Sequence, residues 1–175
     1  MQIAKKLLVF LSLFCGLALV TALLLPTKTI VSEKITINAS ADKVFNLINE
    51  IKNWEKWSIW KKQNSALEFR FNKIEKGKGA AYEAFIDGKR KGKVVLIKSN
   101  LRELLFQVTR DGEDPIYGAF KFHLTSKENK VELEQVINLI DPALSGRLAN
   151  LFKKFFLSSK IADGLELLKA EAEKS

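Results

Sequence analysis

The pattern of apolar and polar residues divides the chain into three parts. Residues 7–26 form an apolar run of twenty residues without a charged side chain. From about residue 66 to residue 139, apolar and polar residues alternate, as they do in a strand with one buried face. After Asp141 the apolar residues recur every three or four positions, which indicates a long amphipathic helix.

Turn residues cut the alternating region into strands. Glycine and Asp-Gly pairs and short polar segments interrupt the alternation, and such residues are typical of tight connections. The expected strands are 66–74, 79–86, 90–98, 102–110, 116–125 and 130–139, and an earlier strand is expected over 29–38. Because the connections are short, consecutive strands should be antiparallel neighbours.

Helices are expected on both sides of this region. Ser40 is a good N-cap for a helix over 41–50, and Asn53 is expected to cap a second short helix. Asp141 at the N-cap and Pro142 at the first helical position predict the start of the last helix, which runs to about Glu173. Its apolar stripe consists of Leu144, Leu148, Leu151, Phe155, Ala162, Leu165 and Ala172.

These elements predict an α+β domain. A curved antiparallel sheet of about seven strands would wrap on the long C-terminal helix, with two short helices after the first strand. The last helix is the only element long enough to cover the apolar face of the sheet. The space between sheet and helix is where a ligand cavity is expected.

The apolar run predicts a membrane anchor. Twenty helical residues span about 30 Å, the thickness of the hydrocarbon core of a bilayer. We therefore expect a transmembrane anchor over 1–26 and a separate domain over 27–175. Lys5 and Lys6 precede the run, so the N-terminus should be cytoplasmic and the domain exported, to the periplasmic or extracellular side. A signal peptide cleaved after Ala22 is the alternative.

Composition excludes several kinds of chemistry. The chain has one cysteine, Cys15, so no internal disulfide can form. It has one histidine, His123, so neither a zinc cluster built on histidines nor a Ser-His-Asp triad has a second histidine to use. We expect no metal, no cofactor and no catalytic residue; His123 is either a lone base or a strand residue at the surface. The net charge of +9 attracts anionic surfaces, but no motif indicates a nucleic-acid partner.

Three segments carry a resemblance to a known superfamily. They are Ile35–Phe45, the stretch Asn53–Trp60 with the sequence NWEKWSIW, and the glycine turn Gly77–Tyr82. Together with the element order they resemble the START-like or SRPBCC superfamily, which includes polyketide cyclases and lipid-transfer domains. The resemblance implies a helix-grip fold over about residues 30–172. Within this superfamily the chain is similar to the bacterial branch in which the domain follows an N-terminal membrane helix.

Aromatic residues and one arginine are the candidates for the cavity. They are Trp54, Trp57, Trp60, Phe69, Tyr82, Phe106, Tyr117, Phe120 and Arg147. The three tryptophans could form the rim of the cavity or could wedge the short helices against the sheet. Arg147, at the start of the last helix, could neutralise a ligand head group.

The resulting hypothesis is a binding module for a lipid or another apolar small molecule, held at the membrane by residues 7–26. A partner-binding domain with a filled core is the alternative, and a cyclase or dehydrase enzyme is a third. The oligomeric state is left open.

Overall fold

The computed structural model describes residues 2–124 and 129–174. Its elements in chain order are α1 (Gln2–Leu24), β1 (Lys28–Ile37), α2 (Ala41–Asn49), a 3₁₀ turn (Ile51–Asn53), α3 (Trp54–Trp57), α4 (Ile59–Gln63), β2 (Leu67–Phe71), β3 (Ala81–Ile86), β4 (Lys89–Asn100), β5 (Glu103–Thr109), β6 (Ile116–Leu124), β7 (Val131–Ile140) and α5 (Leu144–Ala172). The expected end of the strand 116–125, at residue 125, lies outside the described residues.

The strands form one antiparallel sheet in the order β1-β7-β6-β5-β4-β3-β2. Strands β2 to β7 are joined as successive hairpins, and β1 pairs with β7, for example at Ile35 and Leu133. Register shifts interrupt the pairing between Ala84 and Phe85 and between Leu96 and Lys98. Such bulges bend strands and increase their twist, which gives the sheet a concave face. The expected seven-stranded sheet is confirmed.

Helix α5 covers the concave face. Its C-terminal half buries Ile161, Leu165, Leu168 and Ala172 in the core. The hydroxyl of Ser158 hydrogen-bonds the carboxylate of Glu33, which fastens the middle of the helix to β1. The N-terminal half contributes little to the core, and residues 151–156 are exposed. The helix therefore grips the sheet with one end only.

Two expectations for α5 are wrong. The helix begins at Leu144 with Ala143 at the N-cap, rather than at Pro142 with Asp141 at the N-cap. An Asp141 carboxylate oxygen instead accepts from the amide of Ala143 at 3.0 Å and forms a turn before the helix. The expected apolar stripe is buried only in its C-terminal part, at Leu165 and Ala172, whereas Leu148, Leu151 and Phe155 are exposed. The buried residues of α5 lie mainly in its C-terminal half, which packs against the sheet.

The caps of the short helices agree in part with the sequence. The hydroxyl of Ser40 accepts from the amide of Lys43 at 3.2 Å, so the predicted cap of α2 is confirmed. The side chain of Asn53 makes no capping bond and instead donates to Glu50. Ser58 caps the next helix, α4, by accepting from the amide of Lys61.

Helix α1 occupies the segment in which an anchor was expected. In the part of the chain that the structure describes, no helix combines the length and the apolar character that crossing a membrane requires. The anchor therefore stays a prediction. Among the residues whose burial is described, the core begins at Thr29, so residues 27–175 keep every core residue and should fold without α1.

Candidate functional site: a cavity beneath α5

A cavity of about 530 Å³ lies between the sheet, the short helices and α5. Volumes of this size are typical of sites for small molecules. Its walls are mostly apolar and come from every layer of the domain: Trp54, Trp57, Ile59 and Trp60 from the short helices; Leu67, Phe69, Tyr82, Ala84, Ile86, Val94, Phe106, Val108, Ile116, Phe120 and Ile137 from the sheet; and Leu157, Ile161 and Gly164 from α5.

A cluster of aromatic rings forms the inner wall. The ring of Trp54 meets Tyr82, Phe106 and Phe120 edge to face, with centroids 6.0, 5.8 and 5.8 Å away. Its indole N–H donates to the carbonyl of Ile48 at 2.8 Å. Edge-to-face pairs and a satisfied indole hold the ring in one orientation. This wall is therefore formed before any ligand arrives.

Trp57 is held in the same way. Its indole N–H donates to the carbonyl of Leu47 at 3.1 Å, and its ring lies edge to face with Phe120 at 6.0 Å. The two buried tryptophans both wedge the short helices against the sheet and line the cavity. The two interpretations of these residues are thus compatible.

Tyr82 brings a polar atom to the apolar wall. Its ring stacks on Phe69 with centroids 4.2 Å apart, and the residue is buried. Burial raises the pKa of its hydroxyl well above the usual range, so the hydroxyl is protonated at neutral pH. The protonated hydroxyl can act as a hydrogen-bond donor. Gln135 on β7 also lines the cavity and adds an amide.

The cavity reaches the surface. Exposed residues, Trp60, Lys91 and Arg110, are among those that line it. The ring of Trp60, which lines the cavity, lies 6.2 Å from that of Phe156, so this part of the opening is next to α5. A ligand could therefore enter beside the N-terminal half of α5.

Seven of the nine candidate residues line the cavity: Trp54, Trp57, Trp60, Phe69, Tyr82, Phe106 and Phe120. The other two do not. Tyr117 lies on the outer face of β6 and is 42% exposed, because it falls out of phase with Phe120 in the strand alternation. Arg147 donates to the carbonyls of Pro142 and Leu25, so it ties the start of α5 to the end of α1.

Several lining residues were not among the candidates. Val108, Ile86 and Ile116 follow the alternation of the aromatic residues on their own strands, two or four positions away. That signal was present in the sequence. Leu157 and Gly164 depend on how α5 crosses the sheet, and the strand pattern contains no information on this.

The outer face of the sheet carries the lone histidine. His123 Nε2 lies 3.1 Å from a carboxylate oxygen of Glu134, and Ser32 donates to the other oxygen at 2.5 Å. His123 is therefore a strand residue at the surface and faces away from the cavity. Within residues 2–124 and 129–174 there is also no group of three residues that could hold a metal ion.

Glu134 is expected to make stability depend on pH. The hydrogen bond from Ser32, and then that from His123, lower the pKa of Glu134 in the folded state. Because the pKa is lower in the folded state, Glu134 stabilises the fold at pH values above its unfolded pKa of about 4.3. This stabilisation is lost as the pH falls through the pKa of the folded state. Glu134→Gln should cost about 1 kcal/mol at pH 7, measured by urea denaturation, and nothing once Glu134 is protonated.

The matched control for this prediction is Glu132→Gln. Glu132 lies two residues away on the same strand face and makes an exposed ion pair with Lys34. Exposed pairs of this kind contribute only a few tenths of a kcal/mol. An equal, pH-independent loss in both variants would contradict the assignment.

Several solved structures share this architecture although their sequences differ widely from this one. A hypothetical protein of Helicobacter pylori is 10% identical, with a TM-score of 0.61 over 83% of this chain and 88% of its own. The Zhui aromatase/cyclase of Streptomyces sp. R1128 is 15% identical, with a TM-score of 0.58 over 83% of this chain and 94% of its own. The chain has the helix-grip fold of SRPBCC and Bet v1-like proteins.

A third helix-grip structure contains small aromatic molecules. Norcoclaurine synthase of Thalictrum flavum, in complex with dopamine and hydroxybenzaldehyde, is 13% identical, with a TM-score of 0.57 over 85% of this chain and 90% of its own. No family model matches the sequence, and no curated protein matches it. At these identities the likeness defines the fold, and the function has to be argued from the cavity.

Proposed function

We propose that this protein binds an apolar small molecule in the cavity beneath α5. The observation that carries the proposal is an open cavity of about 530 Å³ whose wall is a fixed cluster of aromatic rings. Apolar ligand surface buried there contributes about 25 cal/mol per Å² before the costs of binding. A filled-core domain would have no such space.

Two of the polar residues that line the cavity can hold an acceptor group on an otherwise apolar ligand. The protonated hydroxyl of Tyr82 can donate to a carbonyl or hydroxyl oxygen, and the amide of Gln135 can donate or accept. The norcoclaurine synthase complex gives a precedent for small aromatic molecules with such groups in a helix-grip protein. It is a precedent for the ligand only.

A lipid is the ligand class that we propose first. The uncharged run 7–26 supports a location at the membrane, with the domain on its outer side, where lipids are the most abundant apolar molecules.

Filling the cavity should remove binding. Val108 lines the cavity from β5, and the neighbouring Gln107 points to the outer face. In residues 27–175, Val108→Trp should weaken binding of the neutral probe N-phenyl-1-naphthylamine at least tenfold, because the indole occupies the space. The measurement is the fluorescence of the probe as it is titrated into the protein. Organic extraction and mass spectrometry of protein from the native host identify any bound molecule.

Gln107→Trp is the matched control, since it adds the same side chain one residue away on the opposite face. It should leave probe binding unchanged. If the parent domain takes up no probe and yields no extracted molecule, the binding proposal is wrong. Equal probe binding by both variants would place the probe elsewhere on the protein.

A further inference from the structure

The N-terminal half of α5 exposes several large apolar side chains that do not pack in the core of the domain. Phe152 and Phe155 are each 77% exposed, and Phe156 is 55% exposed. With Leu148 and Leu151, which are also exposed, they form what we call the α5 apolar face. A contiguous exposed patch of large apolar side chains marks an interaction site.

The helix arranges these side chains as one stripe between positive charges. An α-helix turns by about 100° per residue, so the five residues of the α5 apolar face lie within an arc of about 140°. On the same count Lys153 lies about 60° beyond one edge of the stripe and Lys154 about 60° beyond the other. Lysines in these positions can extend to phosphates while the apolar side chains enter the acyl region.

The charged residues of the helix segment that carries the stripe are all basic. Residues 144–160 contain Arg147, Lys153, Lys154 and Lys160 and no acidic residue. The ammonium of Lys160 lies 5.7 Å from the ring centroid of Phe156, which adds a positive charge beside the stripe. A protein partner for this surface would need an apolar patch flanked by acidic residues. An anionic bilayer offers negatively charged head groups beside an apolar interior over its whole surface.

The neighbouring elements continue the surface. Arg147 donates to the carbonyl of Leu25, so the end of α1, where Leu23 and Leu24 are exposed, lies beside the start of α5. On the other side, Trp60 packs on Phe156 and lines the cavity. The α5 apolar face thus connects the apolar N-terminal helix to the opening of the cavity, and α1 leaves it uncovered.

We propose that the α5 apolar face docks on the surface of an anionic phospholipid bilayer. The stripe would lie in the interface with Lys153 and Lys154 at the head groups. Docking would place the cavity opening, marked by Trp60, at the bilayer, so that a ligand could pass between the two. This last step rests on the proposed ligand binding, whereas the docking itself does not.

The test uses residues 27–175, which keep every core residue that the structure describes and contain no cysteine because Cys15 is removed. Vesicles of phosphatidylcholine with 30 mol% phosphatidylglycerol should bind this domain, and pure phosphatidylcholine should bind it more weakly. Phe152→Ser/Phe155→Ser should weaken binding to the mixed vesicles at least tenfold in a flotation assay. Both side chains are exposed, so circular dichroism and the melting temperature should stay unchanged.

The control variant is Leu101→Ser, which removes an exposed leucine from the distant turn between β4 and β5. It should bind vesicles like the parent. A fluorescent NBD label on Phe155→Cys should shift to the blue with vesicles, and the same label on Leu101→Cys should not. Val108→Trp should still dock although it fails to bind the probe, which separates docking from ligand binding.

Three results would overturn the docking proposal. The first is a domain that binds neither kind of vesicle. The second is equal binding by the parent and by Phe152→Ser/Phe155→Ser. The third is a stable dimer in analytical ultracentrifugation that the double substitution dissociates, since the occupant of the α5 apolar face would then be a second copy of the chain.

Discussion

Replacing Trp54 by alanine is expected to lower the free energy of unfolding by about 4 kcal/mol, the usual cost of removing a large buried aromatic residue. Trp54 is 6% exposed and contacts the rings of Trp57, Tyr82, Phe106 and Phe120. The variant loses this packing and leaves the carbonyl of Ile48 without its donor. Urea denaturation followed by far-UV circular dichroism on residues 27–175 measures the loss.

Trp54→Phe separates the two contributions. Phenylalanine keeps an aromatic ring at this position but cannot donate to Ile48. We expect this variant to lose about 2 kcal/mol, from the missing hydrogen bond and the smaller ring. If alanine costs no more than phenylalanine does, the aromatic cluster does not hold the cavity wall in the way described.

Gly118→Ala is expected to cost about 2 kcal/mol, although alanine is normally the better residue in regular structure. A Cβ atom at residue 118 would lie 2.2 Å from Cζ of Phe106, whose ring covers this glycine from the neighbouring strand. The ring would have to move into the cavity that it lines. The measurement is again urea denaturation, with probe binding as a second readout of cavity shape.

Two further variants test the cause of this effect. In Gly118→Ala/Phe106→Leu the clash is removed, so the cost of the double variant should be smaller than the sum of the single costs. Gly164→Ala is the matched control, because its Cβ would lie at an ordinary 3.8 Å from Ile59. It should stabilise α5 by about 0.5–1 kcal/mol through its helix propensity. A destabilised Gly164→Ala would contradict the space seen beneath the helix.

The strands were predictable because they carry local signals. Alternation puts residues three apart in a strand on opposite faces, which agrees with a buried Phe120 and an exposed His123, and turn residues mark the hairpins. The ends of the strands were less predictable. The expected strand to residue 74 stops at Phe71, because the side chain of Asn72 bonds Gly79 and Ala81 and closes the loop early.

The faces of α5 could not be predicted in the same way. Its N-terminal half has apolar residues on the side away from the sheet, such as Phe152 and Phe155, so periodicity alone gives two candidate stripes. The position of Arg147 at the start of this helix predicts a cavity residue. Arg147 turns instead to the carbonyls of Pro142 and Leu25, a contact between distant parts of the chain.

The sequence by itself therefore determined the order of the strands and the long last helix, the seven-stranded sheet and most of the aromatic residues in the cavity wall, because strand alternation and turn chemistry act over a few residues. Only the tertiary structure decided that the core stays partly open, that α5 grips the sheet with its C-terminal half, and that Phe152, Phe155 and Phe156 face outward. These features depend on the distance and crossing of elements far apart in the chain, and no local pattern encodes them.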